Sequence, residues 1–247
     1  MLRPATQCSV VLLFLALVFP CSSPALDLPA LIREVETRYQ GVSSHALVIM
    51  EIETAHWKRS LELESWSEGR DRFLARILAP AKEKGVATLK IANEVWNYLP
   101  KVDRVMKIPP SMMGGAWMGS HLTNDDLVKA HRIDEDYTFA LLEEDDAGWL
   151  IEARPRPEAP VVWGKLVYRI NRTPFVPVQI SYFDEEMIEV RQIHFDRVEQ
   201  IDGRWIPRRM LVNPLEKEER TVLLYQNIEF DLPLPPQLFS VRSLKRN

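Results

Sequence analysis

The chain has 247 residues, of which 46% are hydrophobic, 27% charged and 9% aromatic, enough apolar material for one substantial core and too much for disorder throughout. Its 31 Lys and Arg against 35 Asp and Glu give a net charge of −4, without a long basic run, which excludes nucleic acid as the main partner. The continuous apolar stretch from Val10 to Phe19 is about half of the roughly 20 residues that a membrane-spanning helix needs, so a multi-pass membrane protein is excluded as well.

Arg3, the apolar stretch and the small-x-small site Ser23-Pro24-Ala25 fit a secretory signal peptide cut after Ala25. The expected organisation is a signal peptide at 1–25 and a single domain at 26–247, exported to the periplasm. Cleavage removes both cysteines, Cys8 and Cys21, so neither disulfide nor thiol chemistry is expected of the mature chain. Two other readings are a helix that stays on the protein and a lipoprotein acylated at Cys21, against which Phe19 and Pro20 stand.

Leu28, Leu31, Ile32 and Val35 recur at helical spacing between charged residues, predicting an amphipathic helix from Leu28 to Tyr39 that ends near Gly41. From Ala46 the period changes to two, through Ile49 and Ile52, Leu61 to Glu64 and Arg72 to Leu78, then Val86 to Ile91, Val95 to Leu99 and Arg104 to Ile108. With turn signals at Ser67-Glu68-Gly69 and Asn93-Glu94, these read as a six-stranded antiparallel meander forming a curved sheet. Pro109 and Pro110 stop the run, and Met112 to Gly119 is a glycine-rich apolar loop. Thr123 and Asp126 form a capping-box pattern that starts a short helix running to about His131. Further strands are expected at Tyr137 to Leu142, Trp149 to Ala153, Lys165 to Asn171, Val178 to Phe183, Ile188 to Val198, Trp205 to Val212 and Thr221 to Phe230, with Asp202-Gly203 as a hairpin turn. The proline-rich Leu232 to Pro236 is a rigid arm that brings Leu238 and Phe239 back against the body.

Ser120, His121, Asp125, Asp126 and His131 lie close in sequence, yet Asp125 and His131 lack the i, i+4 spacing of a zinc-binding pair, and the two aspartates suit the positive end of a helix. His45, His56 and His194 fall on separate strands, and the carboxylate runs at Glu143 to Asp146 and Asp184 to Glu186 fall at turns. No phosphate loop, CxxC or nucleophile elbow is present, so neither enzyme, metal site nor cofactor is expected. The salient feature is the Met112 to Met118 loop, in which three methionines and Trp117 stand among glycines. Two readings fit it: a plug that fills one end of the barrel as core, or a hinged lid over an apolar cavity.

Val95-Trp96-Asn97-Tyr98-Leu99-Pro100, Val105 to Pro109 and Trp117 to Leu127, with the leader, the helix, the meander and the closing Leu238-Phe239-Ser240, resemble the LolA-like outer-membrane lipoprotein-sorting proteins. The resemblance implies an α+β, mainly β fold, an incomplete antiparallel barrel wrapped around a few helices. It also implies an apolar cavity for lipid or lipoprotein acyl chains, with an inner-membrane transporter and an outer-membrane acceptor as partners. The arginine that closes the cavity in the best-known carrier has no assigned match among Arg59, Arg72 and Arg76. The expected cavity or lid residues are Trp57, Leu61, Leu63, Phe73, Ile77, Trp96, Tyr98, Met106, Met112, Met113, Trp117 and Met118, with Val95 and Leu99 the alternative to Trp96 and Tyr98. A sensor or transporter subunit that binds a protein partner is the second functional reading.

Overall fold

The computed structural model describes residues 26–38, 40–129 and 132–245; the expected signal peptide, Cys21 and His131 lie outside them. The first helix, α1 (Leu28–Arg38), starts where the Asp27 carboxylate accepts the Ala30 amide at 3.0 Å, and buries Leu31, Ile32, Val35 and Glu36 on one stripe. Beyond its end the chain turns at Gly41, whose φ of +69° favours glycine and where a Cβ would lie 2.8 Å from an Arg204 guanidinium nitrogen.

The meander follows as β1 (Ser43–Glu53), β2 (Lys58–Glu68), β3 (Arg72–Ala79), β4 (Ala87–Ile91), β5 (Glu94–Leu99) and β6 (Arg104–Lys107). After the glycine-rich loop come α2 (Asn124–Lys129) and α3 (Ile133–Asp136). The chain then re-enters the sheet with β7 (Tyr137–Glu144), β8 (Gly148–Pro155), β9 (Lys165–Asn171) and β10 (Val176–Phe183). It completes it with β11 (Glu189–Ile201), β12 (Arg204–Pro214) and β13 (Arg220–Phe230). The thirteen strands of the described residues form one antiparallel sheet, ordered β6-β5-β4-β3-β2-β1-β13-β12-β11-β10-β9-β8-β7. The sheet does not close, because β6 and β7 remain its two edges, and the open barrel expected from the sequence is the fold observed.

Three local expectations are corrected. Ser67 and Glu68 are the last residues of β2 rather than a turn, and the chain reverses over Gly69, Arg70 and Asp71. His56 sits in the turn between β1 and β2, not on a strand. The single turn α3 is too short to leave a periodic signature and was not expected.

Side chains of the inner face, from Val48, Met50 and Ile52 on β1 through Leu61, Leu63 and Ile77, pack with α1 into the main core. The outer face of β3, β4 and β5 carries a second cluster, where Leu74, Ala87, Leu89 and Tyr98 meet Phe239 and Leu244 of the C-terminal segment. Arg76 donates to the Ser243 carbonyl at 2.9 Å and fastens that segment to β3.

Candidate functional site: a roofed cavity

Between the inner face of the sheet and the helices lies a cavity of about 230 Å³. Its walls are Val48, Leu63, Phe73 and Ala75 on one arm of the sheet and Leu166, Ile180, Ile193, Phe195 and Leu223 on the other. The alternation of each strand sends these side chains inward. Trp117, Leu122 and Leu127 form the roof, and Ile133 and Glu36 come from α3 and α1.

The roof is one folded unit. The amides of Trp117, Asn124 and Asp125 donate to the carbonyls of Leu122, Gly115 and Met113 at 2.7, 3.0 and 2.9 Å, so the loop turns back onto the start of α2. The capping box forms reciprocally: the Thr123 amide donates to Asp126 at 2.7 Å, and the Asp126 amide to Thr123 Oγ1 at 3.1 Å. Trp117 is only 3% exposed, crosses Phe73 edge-on at 6.2 Å between ring centroids, and donates its indole N–H to Thr88 Oγ1 at 3.1 Å. The turn continues with Met118 in the left-handed region at φ +51°.

Two arginines fasten the roof to the sheet. Arg191 on β11 donates to both Asp126 carboxylate oxygens at 2.7 and 2.8 Å and to the His121 carbonyl at 3.1 Å. Its guanidinium lies 4.0 Å from the Tyr182 ring centroid and 4.4 Å from that of Trp163. Burial pushes the Asp126 carboxyl up, but Arg191 and the Thr123 hydrogen bonds outweigh it and hold the group below the usual carboxylate range. Arg59 on β2 donates to the Met118 carbonyl at 2.9 Å and pairs with Glu83.

The other polar groups of the lining gather near α1 and α2. Burial raises the Glu36 carboxyl to about 8, with Arg70 opposing and Asp134 adding to the shift. Burial raises Asp125 to about 6, Lys129 opposing, Asp126 and Asp136 reinforcing. Lys129 pairs with Asp136 at 2.5 Å, and the Tyr137 hydroxyl donates to the Trp163 carbonyl at 3.3 Å.

A family model described as an uncharacterized-protein family matches residues 69–246. The chain belongs to that family. No curated protein matches it by sequence. Among solved structures it is similar to a domain of Vibrio parahaemolyticus described as an outer membrane lipoprotein-sorting protein domain, at 21% identity and a TM-score of 0.78, over 88% of this chain and 98% of that one. A DUF1329 family protein of Desulfovibrio piger aligns at 21% identity and a TM-score of 0.81, over 87% and 97%. A LolA superfamily protein of Nitrosomonas europaea aligns at 19% identity and a TM-score of 0.74, over 89% and 100%. The fold is therefore LolA-like, as the sequence resemblance implied.

In this LolA-like chain Leu63, Phe73 and Trp117 stand at the cavity wall. Leu61 and Ile77 share their face but lie deeper, within the main core, with Met118 packed against it. Met106 pairs with Asn97 on the inner face of β6, away from the cavity lining. Trp96 and Tyr98 point to the opposite face, in the cluster covered by the C-terminal segment, whereas Val95 is the inward neighbour. Trp57 is exposed at the β1–β2 turn, Met112 is 57% exposed outside the roof, and Met113 is half-buried. Within the loop Trp117 faces inward, its indole anchored by Thr88.

Arg72 pairs with Glu68 at the surface and Arg76 holds the C-terminal segment, so of the three arginines weighed from sequence it is Arg59 that touches the roof. Arg191 was missed. A signal existed: it shares strand parity with the buried Ile193 and Phe195, so it must point inward. His121 turns away from the cavity aspartates, with Nδ1 2.8 Å from Thr221 Oγ1 and Nε2 3.2 Å from Glu219. Among the described residues no three metal-ligating side chains come together.

Proposed function

We propose that the protein is a periplasmic carrier that holds lipid or lipoprotein acyl chains in this cavity and passes them between membrane partners towards the outer membrane, with no covalent step. The observation that carries the reading is the cavity itself, a void with apolar walls kept open under a fastened roof, where a structural domain would close its core. Its volume of about 230 Å³ equals about eight water molecules, the bulk of a short alkyl segment, so longer chains enter as the roof lifts. Each methylene group buried contributes about 0.8 kcal/mol, so several suffice for tight retention without a charged contact. The loop and α2 move together, because their internal hydrogen bonds are retained when the links to Arg191, Arg59 and Thr88 open. An inner-membrane transporter is the proposed donor and an outer-membrane protein the acceptor, and release follows from the acceptor's greater affinity.

The test is mass spectrometry of organic extracts of the protein exported with its own leader and purified without detergent, beside Ala75→Phe, which fills the cavity from its wall. A defined lipid present in near-equal amount to the native protein and depleted in the variant supports carriage. A correctly folded native protein without bound lipid overturns it.

A further inference from the structure

The carriage reading leaves the polar end of the cargo unspecified, and the lining of the cavity bears on it. Glu36 lies in the middle of the apolar stripe of α1, 8% exposed, at a position where a leucine would serve packing better. Its Oε2 is enclosed without a hydrogen-bond partner among the described residues. A buried polar atom left unpaired costs about 1–3 kcal/mol, a penalty that a ligand hydrogen bond would remove. The charges nearest to Glu36 already balance each other, Arg70 being paired with Asp134. Towards α2 the lining adds Asp125, Asp126 and Lys129, of which Asp126 is taken by Arg191 and Lys129 by Asp136, while Asp125 forms no ion pair with the described residues. An entering anion would therefore meet carboxylates and no unpaired lysine of the lining.

From this arrangement we infer that the cavity selects an uncharged, hydrogen-bonding amphiphile, such as an alkyl alcohol, ester or amide, whose polar group is held by the Glu36 carboxyl while its alkyl chain lies along Leu63, Phe73 and Ile193. A free fatty-acid carboxylate is disfavoured. The Glu36 carboxyl is protonated at neutral pH, because burial raises it to about 8, so it donates one hydrogen bond and accepts another. This inference rests on the carriage reading and assigns the chemistry of the cargo end that the walls leave open.

The test uses the delipidated full mature chain and three eight-carbon probes, octan-1-ol, octanoate and octane, titrated at pH 7 by calorimetry or by change in tryptophan fluorescence. Octan-1-ol is expected to bind about tenfold more tightly than octanoate. Glu36→Gln retains that preference, since an amide also donates and accepts, whereas Glu36→Leu lowers octanol affinity several-fold and leaves octane unchanged. Octanoate binding as tightly as octanol, or an octanol-to-octane ratio unmoved by Glu36→Leu, overturns the inference while leaving carriage standing. Failure of all three probes to bind the folded native chain overturns the carriage reading instead. Should Glu36→Leu not fold, the native comparison and Glu36→Gln still decide.

Discussion

On the outer side of β3, β4 and β5, Leu74, Leu89 and Tyr98 are covered by the protein's own C-terminal residues Phe239 and Leu244. On the inner side of β3, Phe73 and Ala75 face a void instead, roofed by Trp117. The same strand thus carries a filled surface and an unfilled one. The difference teaches that the void is not a failure of packing. A chain able to fold a proline-stiffened arm over one face has the means to fill the other, yet spends a helix and a hairpin-like loop on covering a hollow.

The comparison is tested most severely at Arg191. Arg191→Ala leaves the Asp126 carboxylate buried and unpaired, and a loss of about 3–5 kcal/mol in chemical denaturation is expected. Arg191→Met combined with Asp126→Asn, which keeps the cap acceptor, recovers most of that stability without the ionic fastening. Next comes the filled face: Phe239→Ala costs about 3 kcal/mol by creating a cavity, but the lipid content of the purified protein stays unchanged, because this cluster shares no wall with the void. A parallel loss of lipid would break the separation of the two faces.

The third prediction concerns pH. Burial raises Glu36 in the folded state to about 8 from an ordinary 4.5, so the folded chain binds more protons than the unfolded one between those values. Its contribution to stability is present below about 4.5 and is lost as pH rises through about 8. Urea midpoints across this window fall less steeply in Glu36→Gln than in the native chain. The smallest effect is Trp117→Phe, which removes the hydrogen bond to Thr88 and keeps the aromatic contact with Phe73, at about 1 kcal/mol of thermal stability.

Much of the fold was legible because most strands have one covered face and turn chemistry between them; β9 from Lys165 to Asn171 and the Asp202-Gly203 reversal are read directly. The site was legible only in part. At Val95-Trp96-Asn97-Tyr98-Leu99 both faces are covered, by the interior and by the C-terminal arm, so alternation does not reveal which set points inward. Asp126 was read as a partner of its own helix, which it is, but its ion pair reaches across 65 residues to Arg191 and leaves no local trace. The direction of Trp117 likewise depends on Thr88, 29 residues earlier.

The order of the strands has a kinetic consequence. Every neighbouring pair from β1 to β6, and every pair from β7 to β13, joins segments that are successive in the chain; β1 and β13, where Ser44 meets Phe230, alone join its distant parts. Each arm can therefore form from local contacts at low loop-closure entropy, while the seam between them waits for β13. Until then β1 presents an unpaired edge along its whole length, open to wrong partners. The step most vulnerable to aggregation is thus the last zipping of a sheet whose two halves are already built.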